Sequence, residues 1–502
     1  MKKGFDNEKY IRVQSEHIRE RIAQFGNKLY LELGGKLFDD HHASRVLPGF
    51  EPDSKLQMLS ELRDSMEILI VISALDIERN KIRQDLGIAY NEDVLRLRDE
   101  FMARGFYVSG VVITHYAQQP SSDLYRQRLQ RMQIPTYIHY TIDGYPHNVS
   151  LIDSEEGFGR NDFVPTTRPL VVVTAPGPGS GKMAVCLSQL YHEQRHGTNA
   201  GYAKFETFPV WSLPLRHPVN LAYEAATADL NDVNMIDPFH LETYGKVAIN
   251  YNRDIEIFPV LQTLFDGIYG QSPYHSPTDM GVNMVGFCIE DDGVCREAAK
   301  QEIIRRYFAS LNRVALGLAP ETEVTKIRML MAELHISSSY RNVVAAARER
   351  LAYEKAHPTA HTAHLAISAT AIELPDGTII TAHSGDLLGC SAALLVNATK
   401  YLAGIDHSVR MVDKSLITPI QQMKVHYLGA KNPRLHSDEV LVALSVLSES
   451  DEHCRQALQQ LTRLRGCQAH STVMLGEVDQ RIFRRLGIQI TWDPVPKETL
   501  CN

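Results

Sequence analysis

Over its first 210 residues the chain repeats one pattern: a short apolar run rich in Val, Ile, Leu or Tyr, then a polar amphipathic stretch of helical length. Parallel strands need a crossover between them and a helix is the usual one, so this alternation predicts a doubly wound, mostly parallel sheet with helices on both faces. The expected strands are 28–33, 68–74, 107–114, 136–140, 170–174 and 202–208, and the expected helices are 8–24, 91–104, 122–132 and 182–195. Gly105, just past Arg104, reads as a helix stop. At about 150 residues per domain, 502 residues suggest several cores. We read three domains: a nucleotide-binding-like α/β domain at 1–218, a mainly helical one at 219–352, and a C-terminal mixed α/β domain at 353–502.

Three prolines interrupt the pattern between Pro209 and Pro218, which predicts a connecting or site-lining loop. Apolar spacing then becomes helical at 219–230, 294–316, 322–334 and 340–351. A linker is expected at 353–365, where His357, His361 and His364 fall in a stretch rich in Ala, His and Thr. Beyond it, 367–374 and 378–383 flank Pro375-Asp376-Gly377 and read as a β-hairpin. A helix at 387–402, one long helical signal at 437–464, a strand at 469–475, a helix at 478–486 and a strand at 488–492 complete the chain.

A composition of 44% hydrophobic and 22% charged residues is that of a globular protein. The net charge of −8 gives no general pull toward nucleic acid or anionic membrane, so neither is an expected partner. No apolar run reaches the length of a membrane span, and the charged stretch 1–21 lacks the apolar core of a secretory signal. The seven cysteines are odd in number with no C-x-x-C pair, which favours reduced thiols in a cytoplasmic protein.

The chemistry concentrates in the stretch from Pro169 to Met183, a buried strand running through Ala175-Pro176-Gly177-Pro178-Gly179-Ser180-Gly181-Lys182 into a helix. A strand, a loop of small residues and a lysine at a helix start surround an anion with backbone N–H groups and an ammonium. Gly177, Gly179, Ser180, Gly181 and Lys182 are therefore the expected contacts for a phosphate or a nucleotide. Two departures from a nucleotide-hydrolysing P-loop stand out: Pro176 replaces the first glycine, and Met183 replaces the hydroxyl that would hold Mg²⁺. The loop thus suits anion binding better than hydrolysis. As a plain β to α turn, the same glycines would merely permit unusual backbone angles.

Other constellations are weaker. Asp76, after the run 68–75, and the cluster Glu290-Asp291-Asp292 both occupy places where an acidic residue would organise Mg²⁺, or where a helix start takes a carboxylate. The loop after the first strand carries Lys36, His41, His42 and Arg45; in an open parallel sheet it would face the same crevice, with Lys36 or Arg45 on an anion and a histidine moving protons. The segments 240–253 and 272–279 are dense in hydrogen-bonding groups and suit either a polar small molecule or a self-bonded loop. Cys454, Cys467 and His470 do not complete a zinc set, and Cys390 reads as a small core residue more readily than as a nucleophile.

The loop 175–183, the runs 203–211, 224–232 and 276–283, Asn250-Tyr251-Asn252-Arg253-Asp254 and Gly466-Cys467-Gln468-Ala469-His470-Ser471-Thr472 together resemble an uncharacterised bacterial family across nearly the whole chain. The resemblance implies a nucleotide-binding-like domain, a helical domain and a C-terminal domain of cytidine-deaminase-like shape. Some members carry an ATP-dependent peptidase label, for which this sequence offers no peptidase constellation. Nor does Gly389-Cys390-Ser391 carry the zinc signature of a deaminase. These readings favour an enzyme that acts by group transfer or ligation on a phosphorylated small molecule or nucleotide. A non-catalytic binding or assembly protein that retains the loop as a scaffold is the alternative, with a peptidase behind both. The helical middle could supply a homo-oligomer interface, though core packing explains the same periodicity.

Overall fold

The computed structural model describes residues 2–34, 37–38, 40–83, 86–358 and 366–495. The chain divides into two compact units. An N-terminal unit comprises 2–224 and 231–299, and a C-terminal unit comprises 225–230 and 300–502, so the helical stretch 219–352 is shared between them.

The N-terminal unit is built on a seven-stranded sheet of β1 (Leu29–Leu33), β2 (Met66–Ser73), β3 (Tyr107–Tyr116), β4 (Thr136–Tyr140), β5 (Leu170–Thr174), β6 (Gly201–Phe205) and β7 (Gly281–Val282). Their order is β7-β6-β1-β5-β2-β3-β4, and every pairing is parallel. β1, β2 and β5 are buried at every residue. Helices cover both faces of such a sheet, so its strands read as apolar runs rather than alternating ones. The expected parallel sheet is present, but it does not stop at Phe208. Two residues far along the chain, Gly281 and Val282, add an edge strand on β6, a piece too short for a sequence pattern to show.

Helices α1 (Asn7–Gln24), α2 (Tyr90–Ala103), α3 (Pro120–Arg131), α4 (Lys182–Arg195) and α5 (Asn252–Tyr269) cover the sheet or its ends. Local chemistry sets their limits. Asp6 caps α1 by accepting from Lys9 N–H, and Pro120 opens α3 at a position where its missing N–H costs nothing. On α1, Tyr10, Ile18 and Ile22 are buried at helical spacing. Each such side chain contributes about 1.5–3 kcal/mol by leaving water.

The helix Asp292–Ala315 begins in the N-terminal unit and ends in the C-terminal one, where α6 (Glu321–Glu333) and α7 (Asn342–Ala356) follow. A mixed sheet then forms from β8 (Ala369–Glu373), β9 (Ile379–His383), β10 (Gln468–Ser471) and β11 (Gln489–Trp492), ordered β9-β8-β10-β11. The expected hairpin is β8–β9: Gly377 closes its turn at φ +85°, a conformation that favours glycine. Val343 and Ala347 of α7 pack on Ala371. On the other face Leu394, Leu395 and Ala398 of α8 (Cys390–Leu402) and Phe483 of α10 (Glu477–Arg485) bury Ile372, Ala469 and Ile488. The long helix expected at 437–464 is instead broken into α9 (Ser437–Leu447), a helix at Glu452–Gln459 and a short turn. Asp451 is the reason: its side chain accepts from the N–H groups of His453 and Cys454 and starts a new helix.

Candidate functional site at the carboxyl edge of the parallel sheet

The loop 175–181 leaves β5 and enters α4, both with the limits the sequence predicts. Gly181 is the N-cap of α4 at φ +87°, Gly179 sits at φ +75°, and no side chain caps the helix. Gly177 is constrained differently, since a Cβ there would collide with the Tyr90 hydroxyl. Thr114, near the end of β3, fixes the loop by donating from Oγ1 to the Ser180 carbonyl at 2.6 Å.

Among the described residues, the N–H groups of Gly177, Gly179, Ser180, Gly181 and Lys182 reach no protein acceptor. The Ser180 hydroxyl is buried with no hydrogen-bond partner. Lys182, half-buried at the first residue of α4, makes no ion pair or hydrogen bond with a described residue. A lysine at the positive end of a helix costs about 0.3–1 kcal/mol unless an anion offsets it. Met183 occupies the second residue of α4, where a P-loop would place its hydroxyl.

On one side of the loop lie Ser73, Asp76, Lys81, Tyr90 and His115. Ser73 ends β2 and caps the short helix Ala74–Glu78, and its Oγ meets His115 Nδ1 at 3.1 Å. His115, at φ +51°, also lies 3.3 Å from Thr114 Oγ1, one residue from the group that holds the loop. Burial lowers its pKa, against the pull of the Asp76 carboxylate, and so favours the neutral imidazole. Asp76, a sequence candidate, does reach this edge, but Lys81 holds it at 3.1 Å. Lys81 in turn stands 4.9 Å over the Tyr90 ring.

On the other side, Glu32 of β1 accepts from the Tyr202 hydroxyl at 2.8 Å, and Lys204 of β6 bridges Glu206 at 2.7 Å and Asp254 of α5 at 2.6 Å. Burial works against the Lys204 charge, yet Asp254, Glu206 and Glu32 hold the ammonium above its ordinary value. Burial and Asp254 push Glu206 up to about 7, against the pull of Lys204. Cys186, one turn into α4, lies in the fields of both Glu32 and Lys182 and so sits between this cluster and the loop. His42 is here too, with its ring against Phe208 and Tyr223. It rides on the short helix His41–Val46, capped by Asp40, which Lys55 pairs at 2.8 Å. His41 on that helix is exposed and Arg45 half-buried. Lys36 lies outside the described residues.

The remaining candidates lie elsewhere or are engaged. Asp292 pairs with His217 at 2.8 Å and with Arg296, and Asp291 accepts from Val294 N–H, so the acidic cluster serves a helix start. The polar segments at 240–253 and 272–279 bond largely to one another, as in His240–Ser276 and Tyr244–Asp279. Cys390 is buried at the start of α8, beside a water-sized cavity of about 20 Å³ shared with Ser368, Ser384 and Arg434. Cys467 packs in the core under α8, where burial pushes its thiol up to about 11, and His470 contacts Thr491 Oγ1 at 2.9 Å. A cleft of about 400 Å³ opens at the opposite, amino edge of the parallel sheet, among Gln24, Phe25, Gln194, Asn199 and Tyr269, and no charged side chain lines it.

Two family models together cover nearly the whole chain. The N-terminal "Domain of unknown function DUF1846" matches residues 3–335 and its C-terminal counterpart matches 339–500. The chain belongs to the DUF1846 family. Its DUF1846 relatives carry the name UPF0371. UPF0371 protein stu1377 of Streptococcus thermophilus is 53% identical over 493 residues, covering 98% of each chain. UPF0371 protein DIP2346 of Corynebacterium diphtheriae is 56% identical over 492 residues, 98% of this chain and 97% of the relative, and UPF0371 protein cu0538 of Corynebacterium urealyticum is 55% identical with the same coverage. The resemblance to an uncharacterised bacterial family is thereby confirmed. Sequence reasoning missed His115, Tyr90 and the Lys204–Glu206 pair in this DUF1846 chain. Each stands at or next to the carboxyl end of a strand or the start of a helix, the one signal that marks them.

Proposed function

We propose that the chain is an enzyme that binds a phosphorylated small molecule or nucleotide on the loop 177–182 and acts on it by group transfer or ligation. The observation that carries this reading is the uncapped start of α4, where N–H groups and a lysine that find no acceptor among the described residues meet. Together they leave a concentration of positive potential that only an anion complements. Lys182 holds the phosphate, with Arg45 on the short helix His41–Val46 as a further cation. His115, kept neutral by burial and 3.3 Å from the Thr114 hydroxyl that holds the loop, is the base for a group bound there. No helix among the described residues is long and apolar enough to cross a membrane, and the described cysteines are free and buried, which accords with a reducing cytoplasm.

Thermal unfolding with inorganic phosphate, pyrophosphate and nucleoside phosphates tests the reading. A ligand at about a hundred times its Kd stabilises by about 2.7 kcal/mol, and Lys182→Ala removes that gain. If wild type gains nothing from any of these anions, the reading fails.

A further inference from the structure

The Lys204–Glu206–Asp254 cluster has no part in holding a phosphate on the loop, yet it occupies the same edge of the sheet. β1 lies between β5 and β6, and the registers Glu32↔Val173 and Glu32↔Lys204 set the two outer strands level. The loop that leaves β5 and the Glu206-Thr207 pair that leaves β6 are therefore two strand spacings apart, about 10 Å. With hydrogen bonds of about 3 Å at each end, the remaining gap matches a single sugar phosphate.

Two further observations point to an occupant. The Thr207 hydroxyl, next to Glu206, is buried with no hydrogen-bond partner among the described residues, and the buried Tyr251 hydroxyl has the Tyr223 hydroxyl as its neighbour. A buried hydroxyl left without a partner costs about 1–3 kcal/mol, a cost that a hydroxylated ligand would remove. Beside them Phe208 and Tyr223 stack at 5.3 Å, and the His42 ring meets both edge-on, forming an apolar wall.

We propose that the carboxyl ends of β1 and β6 form a second subsite for the hydroxylated head of the same ligand, a sugar or polyol phosphate, with Glu206, Thr207 and Tyr251 as its polar contacts. This rests on the loop holding the phosphate. Burial, with Asp254 and Glu32, pushes Glu206 up to about 7 against the pull of Lys204, and Tyr223 and Tyr251 face it as well. At neutral pH its carboxyl can thus donate to a ligand hydroxyl or accept from it.

The test is calorimetric titration of the full chain with inorganic phosphate, glucose 6-phosphate, ribose 5-phosphate and glucose. Wild type is expected to bind at least one sugar phosphate about tenfold or more tighter than inorganic phosphate. Thr207→Val, an isosteric loss of an unpartnered hydroxyl, is expected to keep the wild-type melting temperature and phosphate affinity while weakening the sugar phosphate about 3- to 10-fold. Glu206→Gln is expected to abolish the change in sugar-phosphate affinity across pH 7 that wild type shows. Equal affinity of wild type for phosphate and both sugar phosphates overturns the subsite and leaves the loop reading standing, as does a preference unchanged in both variants. Failure of every phosphate to bind overturns the loop reading and the subsite with it.

Discussion

Arg341 in the C-terminal unit and Lys182 in the N-terminal unit are both cations drawn in from solvent, and their surroundings could hardly differ more. Arg341 is 1% exposed and donates to Gln468 Oε1 at 2.6 Å and to the carbonyls of Ala469 at 3.1 Å and Gln489 at 2.6 Å. Lys400 and Lys424 are treated likewise, each with its ammonium on backbone carbonyls or a carboxylate. Burial, with nearby Arg305, pushes Arg341 down to about 9, and the surrounding acceptors oppose that loss of charge. Lys182 has no such company among the described residues, although it sits where a positive charge is least welcome. A cation whose acceptors come from its own chain works for the fold. One left without them is available to something else.

The largest test of that distinction is Arg341→Leu, which takes a donor from a side-chain amide oxygen and from two carbonyls in the interior, while that of Ala469 keeps Thr491 Oγ1 at 3.3 Å. A loss of about 3 kcal/mol or more is expected in urea unfolding, and a loss under about 1 kcal/mol would make Arg341 no more structural than Lys182. Gly177→Ala comes next. Its methyl group meets the Tyr90 hydroxyl and the ring carbons beside it, and a cost of about 1–3 kcal/mol is expected in calorimetric unfolding, part of it recovered when Tyr90→Phe removes the nearest atom. If the second change recovers nothing, the contact is not what demands glycine.

A third test concerns an interior group that stays neutral. Burial holds His139 of β4 at about 3. The unfolded chain takes up this proton near the ordinary histidine value of about 6.5, where the folded chain refuses it. Stability is therefore full above that pH and falls by about 1.4 kcal/mol per unit on acidification toward 3. Urea unfolding from pH 7 to 4 should show this slope, reduced by one proton in His139→Gln. The smallest expected effect has the opposite sign. Lys182→Ala should stabilise the unliganded chain by about 0.3–1 kcal/mol while losing the stabilisation by anions. A destabilised Lys182→Ala would place Lys182 with Arg341.

Much of this was legible because the decisive elements are local. The β-branched run 171–174 and the glycines that follow define β5, the loop and the start of α4 to the residue, since strand propensity and left-handed backbone angles are properties of short segments. His115 was not legible in the same way. It becomes a site residue only because β3 runs beside β2 and Thr114 reaches across to the loop, facts of strand order rather than of sequence spacing. Lys204, Glu206 and Asp254 come together through a fold that brings α5 back to β6. The break at Asp451 was readable as a cap, but apolar periodicity on both sides of it masked the signal.

The order of strands also bears on how the molecule is made. β1 is complete by Leu33, yet neither strand that flanks it begins before Leu170. During synthesis β1 must therefore wait while more than a hundred further residues emerge, and pairings of such long sequence separation are slow to form. The glycine loop leaves the first of those latecomers, β5, which inserts between β1 and β2. A nascent chain in which that loop has its final surroundings is one whose sheet has already been assembled.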